Sequence, residues 1–215
     1  MLDSIQSAGA TGSRFDGLFT VDSLHQPIWN TVLSETSNYL VVPTLGSIVP
    51  YWHLVIPRVA SINMHEHLAA RGDFDIREVL APVLESRAVE QVIWFEHGPR
   101  FAGSVVGCGT DYAHLHVILD PPFEFSNFQA KAEEFTSPWQ AVETSKAYRA
   151  ISPDAEYYAF GNYQKAFVSQ IGVRRASQMF RKIIAELVGK REQWDYRDFP
   201  HESCVRSTLQ LWGKL

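Results

Sequence analysis

The segment of residues 107–122 constrains the fold of this chain more than any other part of the sequence. It opens with the glycine-bearing loop Gly-Cys-Gly-Thr and continues into an alternation in which apolar residues separate Tyr112, His114 and His116. This period of two predicts a β-strand with one apolar face against a core. Residues two apart on a strand lie roughly 7 Å from each other. The two imidazoles can therefore address one phosphate-sized group.

A metal site is the second interpretation of the two histidines, because imidazole is the commonest metal ligand in proteins. A cupin-like metal strand also carries His-x-His, but it needs a glutamate three or four residues later, where this chain has Leu119 and Asp120. A ligand set that adds His53 or His97 to the pair stays open as a weaker alternative. A third interpretation takes both histidines as ordinary surface or hydrogen-bonded residues. We expect no bound metal and no cofactor.

Length and composition restrict the class of protein. With 215 residues, of which 46% are hydrophobic, the chain can fill a sizeable core as one large domain or as a domain with an extension. The net charge of −5, without a Lys/Arg block, argues against binding of extended nucleic acid. The two cysteines form no metal or disulfide pattern, and the sequence shows neither a signal segment nor a membrane-length apolar run. We expect a reduced, cytoplasmic protein that does not bind membranes.

Short apolar runs closed by proline or glycine predict three strands ahead of the histidine strand, at residues 38–42, 53–56 and 91–95. β-Branched runs bounded by chain breakers are typical of antiparallel pairs. Two helices are predicted between the second and third strands, the first capped by Ser61 and the second by Asp73 or Asp75. The order strand, strand, helix, strand, strand predicts an α+β fold with an antiparallel sheet.

The chain changes character in its second half. The pattern predicts helical structure over residues 128–148, interrupted at Ser137-Pro138, where an N-cap and a proline at the first helical position fit. It also predicts a hairpin over 156–169 with a two-residue Gly-Asn turn, and a helix over 176–188 that ends at Gly189. We therefore divide the chain into a core of residues 20–124 and a C-terminal extension of residues 125–215, which contains the hairpin and the last helix. The extension is expected to pack on the core as one compact unit.

Four stretches, in order along the chain, resemble the histidine-triad (HIT) superfamily. Residues 112–118, Tyr-Ala-His-Leu-His-Val-Ile, resemble the family signature His-φ-His-φ-His-φ-φ, with tyrosine at the first histidine position. The other similar stretches are 35–43 with 54–58, 95–98 with 107–109, and 177–185 with 193–197. The last two resemble a bacterial branch with a C-terminal extension. The resemblance covers about residues 30–210 and implies a HIT-like sheet with helices.

The resemblance implies an enzyme that acts on nucleoside phosphates, as a hydrolase, phosphorylase or nucleotidyltransferase attacking the α-phosphorus. His114 matches the middle histidine of the motif, which is the nucleophile and forms a phosphoramidate. His116 matches the third histidine, which can donate a hydrogen bond to the non-bridging oxygens. The family scheme requires no divalent metal. Many members form homodimers, so we expect a homodimer here.

Further groups are expected around the same phosphate. Backbone N–H groups of the glycine loop can cradle it, because glycine lets the main chain approach closely. Near the start of the last predicted helix, where anions are favoured, Arg174 and Arg175 could add donors. The candidate phosphate- and nucleotide-binding residues are Gly107, Cys108, Gly109, Thr110, Glu96, His97, Gln178 and Arg181.

Three positions depart from the family pattern. Tyr112 replaces the first motif histidine, Ala60 stands where a further histidine is expected, and Thr44 stands where an acidic residue often meets the ribose hydroxyls. Tyrosine, with a pKa of roughly 10, is a poor proton shuttle at neutral pH, but its hydroxyl could orient the phosphate or the neighbouring imidazole. The resemblance thus implies a HIT-fold nucleotide hydrolase or nucleotidyltransferase with a covalent His114 intermediate, assisted by His116 and Tyr112. The alternative is a nucleotide-binding or regulatory protein without turnover.

Overall fold

The computed structural model describes residues 15–19, 26–69, 75–86, 88–136, 138–171 and 176–215. The strands in these ranges are β1 Ser34–Glu35, β2 Tyr39–Pro43, β3 Trp52–Pro57, β4 Val92–Gly98, β5 Leu115–Leu119, β6 Gln140–Glu143, β7 Tyr157–Gly161 and β8 Lys165–Gln170. The α-helices are α1 Met64–Ala69, α2 Ile76–Ser86, α3 Phe125–Phe135, α4 Met179–Leu187 and α5 Glu202–Leu211. Within the described ranges, no helix combines the length and apolar character that crossing a membrane requires.

The strands form one antiparallel sheet in the order β1-β2-β3-β5-β4-β7-β8-β6. The predicted α+β class with an antiparallel sheet is therefore confirmed. Strand β7 pairs with β4, so the strands of the C-terminal extension continue the sheet that β1 to β5 begin. The first half and the extension thus share one layer.

Both faces of the sheet are buried, because alternate side chains along the strands pack against helices on opposite sides. One face, called here the histidine face, carries Trp52, Phe95 and His116 and is covered by α3 and α4. The other, called the opposite face, carries Trp94 and Val117 and is covered by α1, α2 and α5. The side chain of His116 therefore lies between the sheet and the helices α3 and α4.

The histidine strand is shorter than predicted, although its alternation is confirmed. Strand β5 begins at Leu115, and the preceding residues have irregular backbone. Ala113 and Leu115 still pack into the core of the opposite face. Tyr112 packs beside Leu54 in a separate cluster. The period of two thus correctly separates the two faces, even where no ladder hydrogen bonds enforce it.

The predicted helix over residues 128–148 is wrong in its second half. Helix α3 ends at Phe135, and residues 140–143 form β6, whose Ala141 lies opposite Phe167 of β8. Pairing with an available sheet edge overrides the local helix propensity here, because propensity is only a weak prior against tertiary contacts.

The predicted hairpin is present, but its two-residue turn is wrong. Strand β7 ends at Gly161 and β8 begins at Lys165. The Asn162 side-chain oxygen accepts hydrogen bonds from the N–H groups of Gln164 and Lys165, both at 2.9 Å. An asparagine that caps its own turn stabilises this longer connection. The predicted cap of α4 is confirmed, since Gly189 has φ 72° directly after the last turn.

Candidate active site

A recess on the histidine face brings the glycine loop, the histidine strand and the tail helix together within one chain. Its lining residues are His97, Gly107, Cys108, Thr110, His114, His116, Gln178, Arg181 and Tyr196. The sequence prediction includes all of them except Tyr196. The cavity volume is about 20 Å³, which is close to the space that a single ordered water needs.

The hydrogen bonding of His114 fixes its tautomer. Its Nδ1 lies 2.8 Å from the carbonyl oxygen of Tyr112. Because a carbonyl can only accept, Nδ1 carries a proton, and in the neutral ring the lone pair lies on Nε2. The ring centroids of His114 and His116 are 5.0 Å apart, closer than the spacing along an ideal strand. His114 is thus held in the tautomer that an attack through Nε2 requires.

His116 is held in the complementary tautomer. The indole Nε1–H of Trp52 donates to His116 Nδ1 at 3.0 Å, so the proton of the neutral imidazole lies on Nε2. The ring is buried and stacks on Phe95, with centroids 4.7 Å apart and planes 14° apart. His116 can therefore act as a hydrogen-bond donor through Nε2, in an orientation fixed by two aromatic neighbours.

Replacing Trp52 by phenylalanine should release this tautomer control while leaving most of the packing in place. We expect a mixture of His116 tautomers and a loss of turnover of about tenfold, the value of one hydrogen bond of roughly 1.4 kcal/mol. Nitrogen NMR of the imidazole measures the tautomer directly. Trp94→Phe is the matched control, because Trp94 donates to Asn162 O on the other side of the sheet. Unchanged His116 signals in Trp52→Phe would contradict the assignment.

Arg181 places a fixed positive charge beside the histidines. The residue is 4% exposed, its Nε donates to the carbonyl oxygen of Trp194 at 2.9 Å, and its Nη2 donates to the carbonyl oxygen of Gly46. The guanidinium also lies over the rings of Trp52 and Tyr196, 4.9 and 5.6 Å from their centroids. Because these contacts leave the net charge in place, the recess is suited to an anion.

The start of α4 faces the same recess. Gln178, at the N-cap position, has φ 56° and is 1% exposed, and its side-chain oxygen has no hydrogen-bond partner among the described residues. Its N–H donates to Cys108 Sγ at 3.0 Å, and Cys108 itself has φ 58°. Left-handed backbone at two non-glycine residues is strained, and such strain concentrates at functional sites.

His97 and Cys108 are both kept uncharged. Burial, with the nearby charges of His114 and Arg181, lowers the pKa of His97 to about 3. The His97 Nε2 accepts a long hydrogen bond of 3.5 Å from the N–H of Phe180 in α4. Burial also raises the pKa of the Cys108 thiol. At neutral pH neither group serves as an acid or as a thiolate nucleophile.

The structure corrects the role expected for the Tyr112 hydroxyl. This hydroxyl donates to the carbonyl oxygen of Pro57 at 3.0 Å, and the ring packs against Phe15 and Phe19. The contact with His114 is made by the main-chain carbonyl of Tyr112 instead. The residue orients the imidazole, as expected, but through an atom that any residue at this position possesses.

Two other predicted residues do not line the recess. Glu96 alternates with His97 on β4 and points to the opposite face, where its carboxyl oxygens accept from the N–H of Met64 and the hydroxyl of Tyr157, both at 2.7 Å. The second residue is Gly109, which is not among the residues that line the recess. A Cβ at Gly109 would lie 3.1 Å from Arg197 Nη2, and Arg197 does not line the recess either. Glu96 therefore anchors the start of α1. Arg174 and Arg175, as well as Asp73, lie outside the described residues.

The placement of Glu96 predicts a pH-dependent stability. Burial raises its pKa from 4.5 to about 7, so between these values the native state binds more protons than the unfolded state, and stability falls as pH rises. The loss is at most about 3 kcal/mol and is complete above about pH 7. His53 and His97, whose pKa values burial lowers to about 4 and about 3, act in the opposite direction.

Glu96→Gln isolates this contribution. Chemical denaturation should show that the stability of the variant relative to wild type increases between about pH 5 and about pH 8. The difference between the two proteins removes the contribution of the histidines. A difference that does not change with pH would show that Glu96 is not the titrating group.

The alternative of a metal site finds no support in the geometry. The described residues contain no group of three or more His, Cys, Asp or Glu placed to hold a metal ion. His53 pairs across the sheet with Val117, and its Nε2 accepts from the indole of Trp212 at 2.9 Å. It therefore lies on the face opposite to His116, and the two cannot share an ion.

Three residues that support the site were not among those predicted from the sequence. Trp52 could have been predicted, because extending the second predicted strand by one residue places Trp52 two positions before Leu54. The two side chains then lie on the same face of the sheet as His116. Tyr196 and Gly46 carry no such local signal. They meet Arg181 only through the fold, since Gly46 follows β2 and Tyr196 precedes α5.

The sequence matches no protein-family model and no curated protein. Three solved structures of yeast Ap4A phosphorylase Apa2 are similar to the chain. For the complex with AMP the identity is 10% and the TM-score 0.42, over 84% of this chain and 76% of that one. For Apa2 alone the identity is 12% and the TM-score 0.41, over 86% of this chain and 79% of that one. For the complex with Ap4A the identity is 11% and the TM-score 0.37, over 82% of this chain and 74% of that one. The likeness concerns the fold alone, and at TM-scores below 0.5 nothing about activity follows from it.

Proposed function

We propose that this chain is a nucleotide hydrolase or nucleotidyltransferase that acts on a nucleoside 5′-phosphate derivative through a covalent His114 intermediate. The observation that carries the proposal is the hydrogen bond from His114 Nδ1–H to the Tyr112 carbonyl, which assigns the lone pair to Nε2. A neutral imidazole in this tautomer is a competent nucleophile toward phosphorus. The resemblance to the HIT motif supports the same assignment.

In the first step, Nε2 of His114 forms a bond to the α-phosphorus, and the bond from phosphorus to the leaving oxygen breaks with its electron pair. Negative charge on the phosphoryl oxygens would be met by His116 Nε2–H, by the charge of Arg181 and by the positive end of the α4 helix dipole. In the second step, water or an acceptor attacks phosphorus and the electron pair returns to Nε2. The proton of the acceptor passes to solvent.

The contacts at the site also favour one class of leaving group. The Tyr112 hydroxyl donates to Pro57, and the lowered pKa of His97 keeps it neutral. Neither group is placed to protonate a poor leaving group. We therefore propose phosphoric anhydrides, which release a stable phosphate anion, as the preferred substrates, ahead of phosphoramidates and alkyl esters.

The alternative of a nucleotide-binding or regulatory protein without turnover stays open. The same recess and the same fixed charge of Arg181 could hold a phosphate group without reacting with it. The expected homodimer and cytoplasmic location stay predictions, and the recess itself is built from one chain.

A panel of nucleotides tests the proposal. Nucleoside polyphosphates, dinucleoside polyphosphates, nucleotide sugars and nucleoside phosphoramidates are compared for thermal stabilisation and for product formation. Ligands that bind the native state raise its stability by mass action, so slow substrates also register. We expect turnover of the anhydrides and little of the phosphoramidates. Stabilisation without any product would support the binding protein instead.

Tyr112→Phe should have a small effect on turnover and a measurable effect on stability. Removing the hydroxyl leaves the Pro57 carbonyl without its donor, which costs about 1 kcal/mol of unfolding free energy. The Tyr112 main-chain carbonyl still orients His114. Chemical denaturation and steady-state kinetics measure the two effects. A large loss of turnover at unchanged stability would show that the Tyr112 hydroxyl takes part in the reaction.

A further inference from the structure

The side chain of Gln178 is buried in the histidine recess without a hydrogen-bond partner. The residue is 1% exposed and lines the recess together with His114 and His116. Its side-chain oxygen Oε1 has no partner among the described residues. Native proteins leave few buried acceptors unpaired, because such an acceptor has lost its hydrogen bond to water without a replacement. The unpaired oxygen therefore points to a ligand group that donates a hydrogen bond at this position.

Neither the helix nor its contact with the glycine loop requires a glutamine here. Gln178 is the N-cap residue of α4, but its side chain caps none of the helix N–H groups, and glutamine is not a preferred N-cap residue. The contact with the loop uses the main chain, whose N–H donates to Cys108 Sγ at 3.0 Å. The backbone of Gln178 is left-handed, with φ 56°, which strains a residue other than glycine. An unpaired acceptor and a strained backbone at one residue indicate a functional position.

The recess lies between the sheet and helix α4, and Gln178 belongs to the helix side. His114 directly precedes β5, on the sheet side, whereas Gln178 directly precedes Met179, the first residue of α4. The start of α4 is held over the sheet by Phe180, whose ring centroid lies 4.9 Å from that of Phe95. A phosphoryl group on His114 that occupies the recess therefore faces the helix side. In an in-line displacement the incoming oxygen approaches phosphorus from the side opposite the departing nitrogen, and this is the side of Gln178.

We propose that Gln178 Oε1 selects the acceptor of the second step, because it accepts a hydrogen bond from the attacking water and disfavours inorganic phosphate. This inference rests on the proposed His114 adduct. The water oxygen forms a bond to phosphorus, the bond from phosphorus to Nε2 breaks with its electron pair remaining on Nε2, and one water proton passes to solvent. The attacking oxygen of inorganic phosphate carries negative charge and no hydrogen, so it cannot donate to Oε1. The expected reaction is therefore hydrolysis rather than phosphorolysis.

Competition between water, methanol and radiolabelled inorganic phosphate for the adduct tests the role of Gln178. The full chain turns over a dinucleoside polyphosphate, and chromatography measures the nucleoside monophosphate, its methyl ester and the labelled nucleoside diphosphate. We expect Gln178→Met, which keeps the length of the side chain without a strong acceptor, to raise the ratio of phosphorolysis to hydrolysis by about tenfold. The ratio of methanolysis to hydrolysis should change little, because both acceptors donate an O–H. These ratios do not depend on how much of a variant is folded.

Gln178→Glu provides a test in the other direction. Its carboxylate keeps an acceptor oxygen and adds a negative charge, so the ratio of phosphorolysis to hydrolysis should fall severalfold. Gln210→Met is the matched control, because it makes the same change at an exposed position of α5, which packs on the opposite face of the sheet. It should leave both ratios unchanged.

Two results would overturn the inference while the proposed function stands. They are a ratio of phosphorolysis to hydrolysis that is unchanged in Gln178→Met, and a ratio that rises in Gln178→Glu. A wild-type protein that forms none of the three products would instead reject the proposed function, and the inference with it.

Discussion

Replacing His114 by alanine should abolish turnover while the fold and nucleotide affinity persist. Loss of a catalytic nucleophile reduces kcat by on the order of 10⁴ to 10⁶. The side chain is half-buried and touches Phe15 and His116 at ring-centroid distances of 5.5 and 5.0 Å. Its removal should therefore cost only about 1 kcal/mol of stability. Steady-state kinetics, nucleotide titration and a melting curve measure the three properties.

Imidazole supplied in solution provides the control for this variant. Deleting the side chain leaves space where a free imidazole can bind, so added imidazole should restore part of the turnover if His114 acts as the nucleophile. A His114→Ala protein with near wild-type kcat would remove the residue from its assigned role. A variant that binds no nucleotide and melts early would report a structural role instead.

Gly46→Ala should be the most destabilising single substitution at this site. A Cβ on Gly46 would lie 2.5 Å from Tyr196 Cβ and 2.8 Å from Tyr196 Cα, and Gly46 has φ 68°. The Gly46 carbonyl also accepts from Arg181, and its N–H donates to the carbonyl of Pro200 at 3.0 Å. We expect a loss of roughly 2–5 kcal/mol of unfolding free energy, from the clash with backbone and from left-handed strain.

Gly103→Ala separates the two causes of this loss. Gly103 has φ 78°, but a Cβ there would meet nothing within 4 Å, so only the backbone strain of about 1 kcal/mol is expected. Protease sensitivity of the segment around Tyr196, together with chemical denaturation, measures the effect in both variants. Equal, small losses in Gly46→Ala and Gly103→Ala would contradict the close approach of the C-terminal segment to Gly46.

The parts of the fold that the sequence predicts are those with a local signal. Alternation around His114 and His116, with proline and glycine at the strand ends, is sufficient to separate the two sheet faces. The stripe of α4 with Gly189 after it identifies the tail helix. Gln178 and Arg181 are expected near the phosphate because they lie at the start of a predicted helix, where anions are favoured. No local pattern specifies which face of the sheet a distant helix start will meet.

The features that escape prediction depend on contacts between distant parts of the chain. Residues 140–143 form a strand because β8 offers an edge, and nothing local distinguishes them from a helix. The Tyr112 hydroxyl donates to the carbonyl oxygen of Pro57, 55 positions earlier in the chain. The presence of tyrosine at a family histidine position does not indicate this contact. Helix α5 has an apolar spacing at Val205 and Leu209 that a pattern search could have found.

The central claim is that the His114 Nε2 forms a bond to phosphorus, and detection of that adduct tests it most directly. The protein is mixed with a dinucleoside polyphosphate, quenched in base during turnover, and examined by intact-mass and peptide mass spectrometry. The account predicts a mass increase of one nucleotidyl group on His114, stable in base, lost in acid and absent from His114→Ala. Turnover without such an adduct, or with the group on Cys108, would contradict it.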